Sequence, residues 1–297
     1  MSGATKGGFR PRFFASGGVL AAGQPGAGRE VLLDAEDSHH ATAVLRLHLG
    51  DECEVVLGPS GAVHLARVVA LETPVRLELG DRLEGEAAGA GYRREVWLVQ
   101  ALARPAVMDY LIEKGTETGV SRFLLVLAAG SPRLPEGSMD RRLARWRKVA
   151  REAAKQSKQV AVPKVDVAPS LEAALADVDK ADAWSILLEP RATTSLDDMV
   201  RKAVEEAATP DVTSRGDSGP VATPDVTSRE DAGPVVALSV GPAVALWVGP
   251  EGGWSERELR RFRTAGMAMA RLGRGVLRTE TAGPVAVALV RLGLRDW

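Results

Sequence analysis

The stretch WVGPEGGWSERE, from Trp247 to Glu258, ends an apolar run, turns through glycines and opens a helix. The run AVALWVGP that leads into it is strand-length and apolar on both faces, the mark of a parallel strand buried on two sides. Gly249, Gly252 and Gly253 permit positive φ and close backbone approach to a ligand. Ser255 followed by Glu258 makes a capping box that starts the next helix. A strand, a glycine loop and a helix N-terminus in that order are the unit of an α/β fold, which places ligands at the carboxyl ends of its strands. A second junction of this kind is RLGRGVLRTETA, from Arg271 to Ala282, where Arg278, Glu280 and two threonine hydroxyls crowd the entry to the last helix. Two such loops imply one shared pocket. Taken alone, GPEGG reads either as strand-to-helix punctuation or as a pocket wall, and Thr279 with Glu280 reads as a helix start, which leaves Arg278 unexplained. Neither GxGxxG nor GxxxxGK[ST] is present, so the loop is not a dinucleotide fingerprint or a P-loop.

Outward from these junctions, apolar strands alternate with amphipathic helices from Tyr92 to the C-terminus. REVWLVQALA is followed by a helix from Ala106 to Thr118, SRFLLVLAA by a long helix from about Asp140 to Gln159, and a short helix lies near Leu171 to Ala176. The strands AWSILLEP and AVALWVGP, a helix from Ser255 to Ala265, the strand MAMARLG and a terminal helix complete the pattern. It predicts a mostly parallel sheet covered on both faces.

Residues 1–84 read differently, as short strands (VLLDAED, DECEVVLGPSG, AVHLARVVALE, PVRLELGD) around one helix that begins near Ser38. This is a small β-barrel or sandwich domain. Residues 85–91, GEAAGAG, form the linker to a second domain at 92–297. Within that domain ATPDVTSRGDSGPV (208–221) is repeated at once as ATPDVTSREDAGPV (222–235), a tandem duplication whose composition predicts a disordered surface insertion at 208–235.

The 297 residues suffice for two domains, and 45% hydrophobic content gives each a core. A single cysteine, Cys53, excludes an intramolecular disulfide, and no Cys/His cluster points to a metal. MSGATKGGFRPRFF lacks the apolar core of a secretory signal, so the expected location is cytoplasmic. The uncharged stretch Ala232 to Pro250 is broken by Gly-Pro pairs into strand-length pieces, which argues against a membrane span. With a formal net charge of -1, affinity for nucleic acid requires a local patch. The segment Arg141 to Lys164 supplies one, with a single acid, Glu152, among its cations; it reads as a solvated helix face or as a binding surface.

Here a resemblance enters. RPRFF (Arg10 to Phe14), HHATAVLRLHLGDE (His39 to Glu52), EKGTETGV (Glu113 to Val120), RWRKVAREAAKQS (Arg145 to Ser157), Val162-Pro163, WVGPEGGWSERE and LGRGVLRTETA together resemble the bacterial 16S ribosomal RNA uridine N3-methyltransferase family, in the SPOUT class. The resemblance covers both domains in order and leaves out only 208–235. It implies a PUA-like N-terminal β-barrel domain, a SPOUT-type α/β domain with a deep trefoil knot, a homodimer, and S-adenosylmethionine as methyl donor. The partner it implies is 16S ribosomal RNA in the small ribosomal subunit, with no membrane and no metal.

Carried over by motif, the cofactor lies among three loops: Leu188, Glu189 and Pro190; Gly249, Pro250, Glu251, Gly252 and Gly253; and Leu272, Gly273, Val276 and Leu277. Arg278 is then expected to stabilise negative charge developing on the uracil, and Glu280 to accept a proton. The same two residues pairing with each other to fix the loop is the other reading. N3 lies on the Watson–Crick edge, so the target base must be unpaired or extruded. The cations expected on RNA are Arg10, Arg12, Arg46, Arg145, Lys148, Arg151, Lys155 and Lys158; Phe13 and Phe14 read as barrel core. The chain departs from the family pattern at Lys155, where relatives carry an acid, and at Gln159, where they carry a cation. Gly283 and Pro284 replace alanine-like residues, the proline being tolerable in a first turn. Ribose 2'-O-methylation, or RNA binding without catalysis, are the alternative functions.

Overall fold

A computed structural model describes residues 10–15, 29–58, 61–85, 91–135, 137–208 and 243–297. The duplicated segment 208–235, apart from its first residue, and most of the 85–91 linker lie outside the described residues.

The N-terminal domain is a curled five-stranded sheet in the order β1 (Arg12–Ala15), β3 (Glu52–Leu57), β4 (Ala62–Ala70), β5 (Arg76–Arg82), β2 (Glu30–Leu32). β1 and β3 are parallel and the other pairings antiparallel. Register shifts along the β4–β5 pair bend the sheet around Phe13, Val31, Cys53, Val55, Val68 and Leu77, all essentially buried. This is the PUA-like domain. Its helix begins earlier than the sequence suggests: α1 spans Ala35–His39, capped by the Asp34 carboxylate, which accepts from the Asp37 amide. The strand therefore stops at Leu32, because Asp34 recruits the following residues into a helix. A π-turn, His40–Val44, continues α1 and leaves Arg46 exposed at φ 53°.

The second domain holds a six-stranded, wholly parallel sheet ordered β11 (Ala268–Ala270), β9 (Trp184–Leu188), β10 (Ala243–Val248), β6 (Glu95–Ala101), β7 (Arg122–Val126), β8 (Lys164–Val167). Val96 and Leu98 of β6, with Val244, Leu246 and Val248 of β10, face one helical layer; Trp97, Val99, Ala245 and Trp247 face the other. Both faces are buried, which is why these strands read as unbroken apolar runs. The first layer contains α2 (Pro105–Glu117), α3 (Met139–Gln156), α5 (Leu196–Ala208) and α7 (Thr279–Gly293); the second contains α4 (Leu171–Lys180) and α6 (Glu256–Thr264).

After β11, at one edge of the sheet, the chain returns across the strand ends so that α7 packs against α2, α5, β6 and β10. The returning segment is stitched to the β9–α5 connection: the Arg271 amide donates to the Thr194 carbonyl at 2.9 Å, and the Leu196 amide to the Arg271 carbonyl at 2.9 Å. This re-entrant course is the SPOUT arrangement that the resemblance implies.

β8 and α5 have no counterpart in the sequence reading, and Pro284 lies in the second turn of α7 instead of its first. Among the described residues no helix is long and apolar enough to cross a membrane. No group of three or more His, Cys, Asp or Glu among them is placed to hold a metal ion.

Candidate active site

The carboxyl ends of β9, β10 and β11 open into one cleft of about 510 Å³. Leu188, Glu189 and Pro190 line it from the first loop; Gly249, Pro250, Glu251 and Gly253 from the second; Leu272, Gly273, Val276 and Leu277 from the third. Arg278 and Glu280 also line it, whereas Gly252 falls outside the lining.

The glycine loop is shaped by its neighbours. A Cβ on Gly249 would stand 3.1 Å from the Trp254 Nε1, and Gly253 has φ +74°, a conformation that side chains resist. The Gly253 amide closes the turn by donating to the Pro250 carbonyl at 2.8 Å. Behind it the predicted capping box is formed: Ser255 Oγ accepts from the Glu258 amide, and the Ser255 amide donates to Glu258 Oε2 at 2.7 Å. The other oxygen of Glu258 accepts from the Ala129 amide at 2.8 Å, tying the loop after β7 to α6. In front, Gly252, Gly253, Gly273 and Gly275 have nothing within 4 Å of where a Cβ would stand. Backbone thus faces open space, the kind of cradle a flat ligand edge requires.

Charge is concentrated at the rim. Arg278 is the N-cap residue of α7 but makes no side-chain cap; its guanidinium lies 4.0 Å from Glu280, and its side chain is 87% exposed. An ion pair so long and so exposed contributes little to holding a loop. Arg104 at the start of α2 reaches Glu251 at 3.5 Å across the mouth. The Glu189 carboxylate turns back on its own loop and accepts from the Arg191 amide at 3.2 Å.

Sequence reasoning missed Arg104, Trp254 and Gln100 here, and it read Thr279 only as a helix start. Thr279 does not cap the helix; its hydroxyl donates to the Gly249 carbonyl at 2.7 Å and accepts from Gln100 Nε2 at 3.1 Å. The available signal was Gln100 itself, a lone amide within the apolar strand VWLVQALA.

An RNA methyltransferase domain family matches residues 92–214 and 221–291, and an RNA methyltransferase PUA domain family matches 33–73. Ribosomal RNA small subunit methyltransferase E of Mycobacterium tuberculosis is 30% identical over 277 residues, which is 92% of this chain and 90% of the relative. The chain belongs to this family. Its namesake in Bacillus subtilis is 26% identical over 197 residues, 66% of this chain and 65% of that protein. The fold also matches the solved family member from Neisseria gonorrhoeae, bound to S-adenosyl methionine: TM-score 0.69 and 24% identity, covering 95% of this chain and 97% of that one.

The cations expected on RNA divide. Arg12 is buried, paired with Glu54 at 2.9 Å and donating to the carbonyls of Lys158 and Gln159. Lys155 is also buried, between Asp37 and Glu152. Arg151 bonds Asp34, Asp37 and the Phe14 carbonyl, and Lys158 pairs with Glu54. These four join the two domains, so Arg12 and Lys155 are corrected from RNA contacts to interdomain ties. Asp37 sits more than a hundred residues upstream of Arg151 and Lys155, and Glu54 of Lys158, where a local charge count does not register them. Arg10, Arg145 and Lys148 pair with Glu52, Asp109 and Glu36 yet keep much of their side chains in solvent, and Arg46 is exposed. Phe13 is core, while Phe14 packs with Val56, Val63 and Ala154 between the domains. Gln159, the second departure, is buried and donates to the Tyr92 hydroxyl and the Thr116 carbonyl.

Proposed function

We propose that this chain binds S-adenosylmethionine in the cleft and transfers its methyl group to N3 of a uridine in 16S ribosomal RNA of the small subunit, acting as a homodimer. The proposal rests on one observation: three loops distant in sequence converge on a single cleft whose rim carries Arg278 and Glu280. Its glycines leave backbone open to a ligand, while Val276 and Leu277 expose apolar surface there, 79% and 39% respectively. A bound sulfonium donor supplies an electrophilic methyl group.

The chain's own residues then have distinct tasks. The three loops hold and orient the donor; Val276 and Leu277 cover its apolar parts. Arg278, projecting from the cleft rim, stabilises negative charge on the uracil as the N3 proton leaves, and Glu280 on the first turn of α7 accepts that proton. The exposed Arg46, Arg10, Arg145 and Lys148 grip phosphates around an extruded base. Disruption of the gene should remove one N3-methyluridine from 16S RNA, and complementation should restore it. Nucleoside mass spectrometry decides: an unchanged N3-methyluridine level refutes the assignment. Light scattering at micromolar concentration reads the oligomeric state, where a monomer removes the homodimer from the proposal.

A further inference from the structure

Gln100 is fully buried near the end of β6. Its Nε2 donates to the Ala101 carbonyl at 2.9 Å and to the Thr279 hydroxyl at 3.1 Å, and that hydroxyl in turn donates to the Gly249 carbonyl at 2.7 Å. The direction of this chain is fixed. The Ala101 carbonyl only accepts, so the amide nitrogen must face it, and the single threonine proton is already committed to Gly249. Gln100 Oε1 is left buried with no donor. A leucine in its place would remove that unsatisfied oxygen together with the two bonds of Nε2, so Gln100 carries a buried polar cost that an apolar side chain would not.

The other end of the relay explains why the amide is there. The peptide between Gly249 and Pro250 has no N–H, because proline lacks one; the Gly249 carbonyl is its only polar handle. Whatever fixes that peptide plane from outside the loop must do so by donating to this oxygen, and Thr279 does.

We propose that Gln100 is a positioning residue. Acting through Thr279, it turns the Gly249 carbonyl toward α7 and so sets the backbone of residues 249–253 for the methyl donor; this rests on the reading of the cleft as the S-adenosylmethionine site. β6, the β10 loop and the start of α7 are thereby coupled by two hydrogen bonds.

The test is calorimetric titration of S-adenosylmethionine into the wild-type protein, Gln100→Leu, Thr279→Val, Thr279→Ser and the Gln100→Leu/Thr279→Val double variant, beside thermal melts without ligand. Gln100→Leu and Thr279→Val should each weaken binding by about 10-fold, the scale of one hydrogen bond's worth of loop order. The double variant should bind no worse than the weaker single, because both act on one relay. Thr279→Ser should stay within about 3-fold of wild type, and Gln100→Leu should melt no lower than wild type without ligand. Wild-type affinity in Gln100→Leu, or additive losses in the double variant, overturns the relay while leaving the cofactor site standing. Absence of binding by the wild-type protein removes both. Should Gln100→Leu not fold, the contrast between Thr279→Val and Thr279→Ser decides: equal affinities overturn the relay.

Discussion

Arg278 and Glu280 stand two residues apart at the mouth of the cleft, yet their 4.0 Å separation and the exposure of Arg278 make a poor structural tie. An exposed guanidinium at a cleft rim is available to a substrate. Arg278→Ala is therefore expected to lower turnover by about 100-fold, the scale of one lost charge-stabilising donor, with S-adenosylmethionine affinity nearly unchanged. Single-turnover kinetics beside calorimetry separate the two quantities; equal loss in both would return Arg278 to a loop-fixing role. Cys53 illustrates the opposite case, a reactive group made inert. Burial, reinforced by Glu54, pushes its thiol up from 9.0 to about 12, so in the folded protein it should resist iodoacetamide at pH 8 and react only on unfolding. In an unfolded chain the thiol ionises first. Its contribution to stability is therefore complete below pH 9 and declines as the pH rises through about 12, which denaturant titrations across that range would register.

At the scale of elements, strands buried on both faces and the capping box at Ser255 were legible in the sequence, because each signal is local: apolar runs, glycines, and a serine three residues before a glutamate. β8 and α5 were not. KVDV is a four-residue edge strand in which only Val165 is buried, with none of the continuous apolarity of its neighbours. The helix α5 runs into the duplicated polar segment, and its anchors in the core are chiefly Leu196 and Val200. The packing of α7 against β6 and β10 joins segments far apart in sequence and also escaped a local reading. That contact gives a meaning to Gly283: a Cβ there would stand 2.9 Å from Leu98 Cδ2 within the core. Gly283→Ala, although a better helix former, should destabilise the protein by about 1–3 kcal/mol through overpacking. A melting temperature equal to or above wild type would show that α7 has slack against the sheet.

Over the whole molecule, the two domains are joined by charges that the sequence presents as unrelated blocks. Cations of α3 and the turn after it meet acids of the β-domain: Asp37, fully buried, takes Arg151 and Lys155, while Glu54 takes Lys158 and, within its own sheet, Arg12, whose guanidinium also donates across to the Lys158 and Gln159 carbonyls. An apolar seam of Phe14, Val56, Val63 and Ala154 lies beside them. Such long-range pairing is not visible in a count of local charge, and it reassigns part of the basic patch from RNA to architecture. The distinction is measurable at Arg12, whose side chain is only 1% exposed. Arg12→Met keeps the apolar stem but removes the pair with Glu54 and the bonds to the Lys158 and Gln159 carbonyls. Breaking a buried pair from one side should destabilise the protein by about 3–5 kcal/mol, seen by calorimetry as a lowered melting transition. RNA affinity of the folded fraction, and the salt dependence of that affinity, should stay as in the wild type, because no phosphate contact is lost. An unchanged melting temperature with a shallower salt dependence would instead return Arg12 to the RNA surface and leave Glu54 to be held by Lys158 alone.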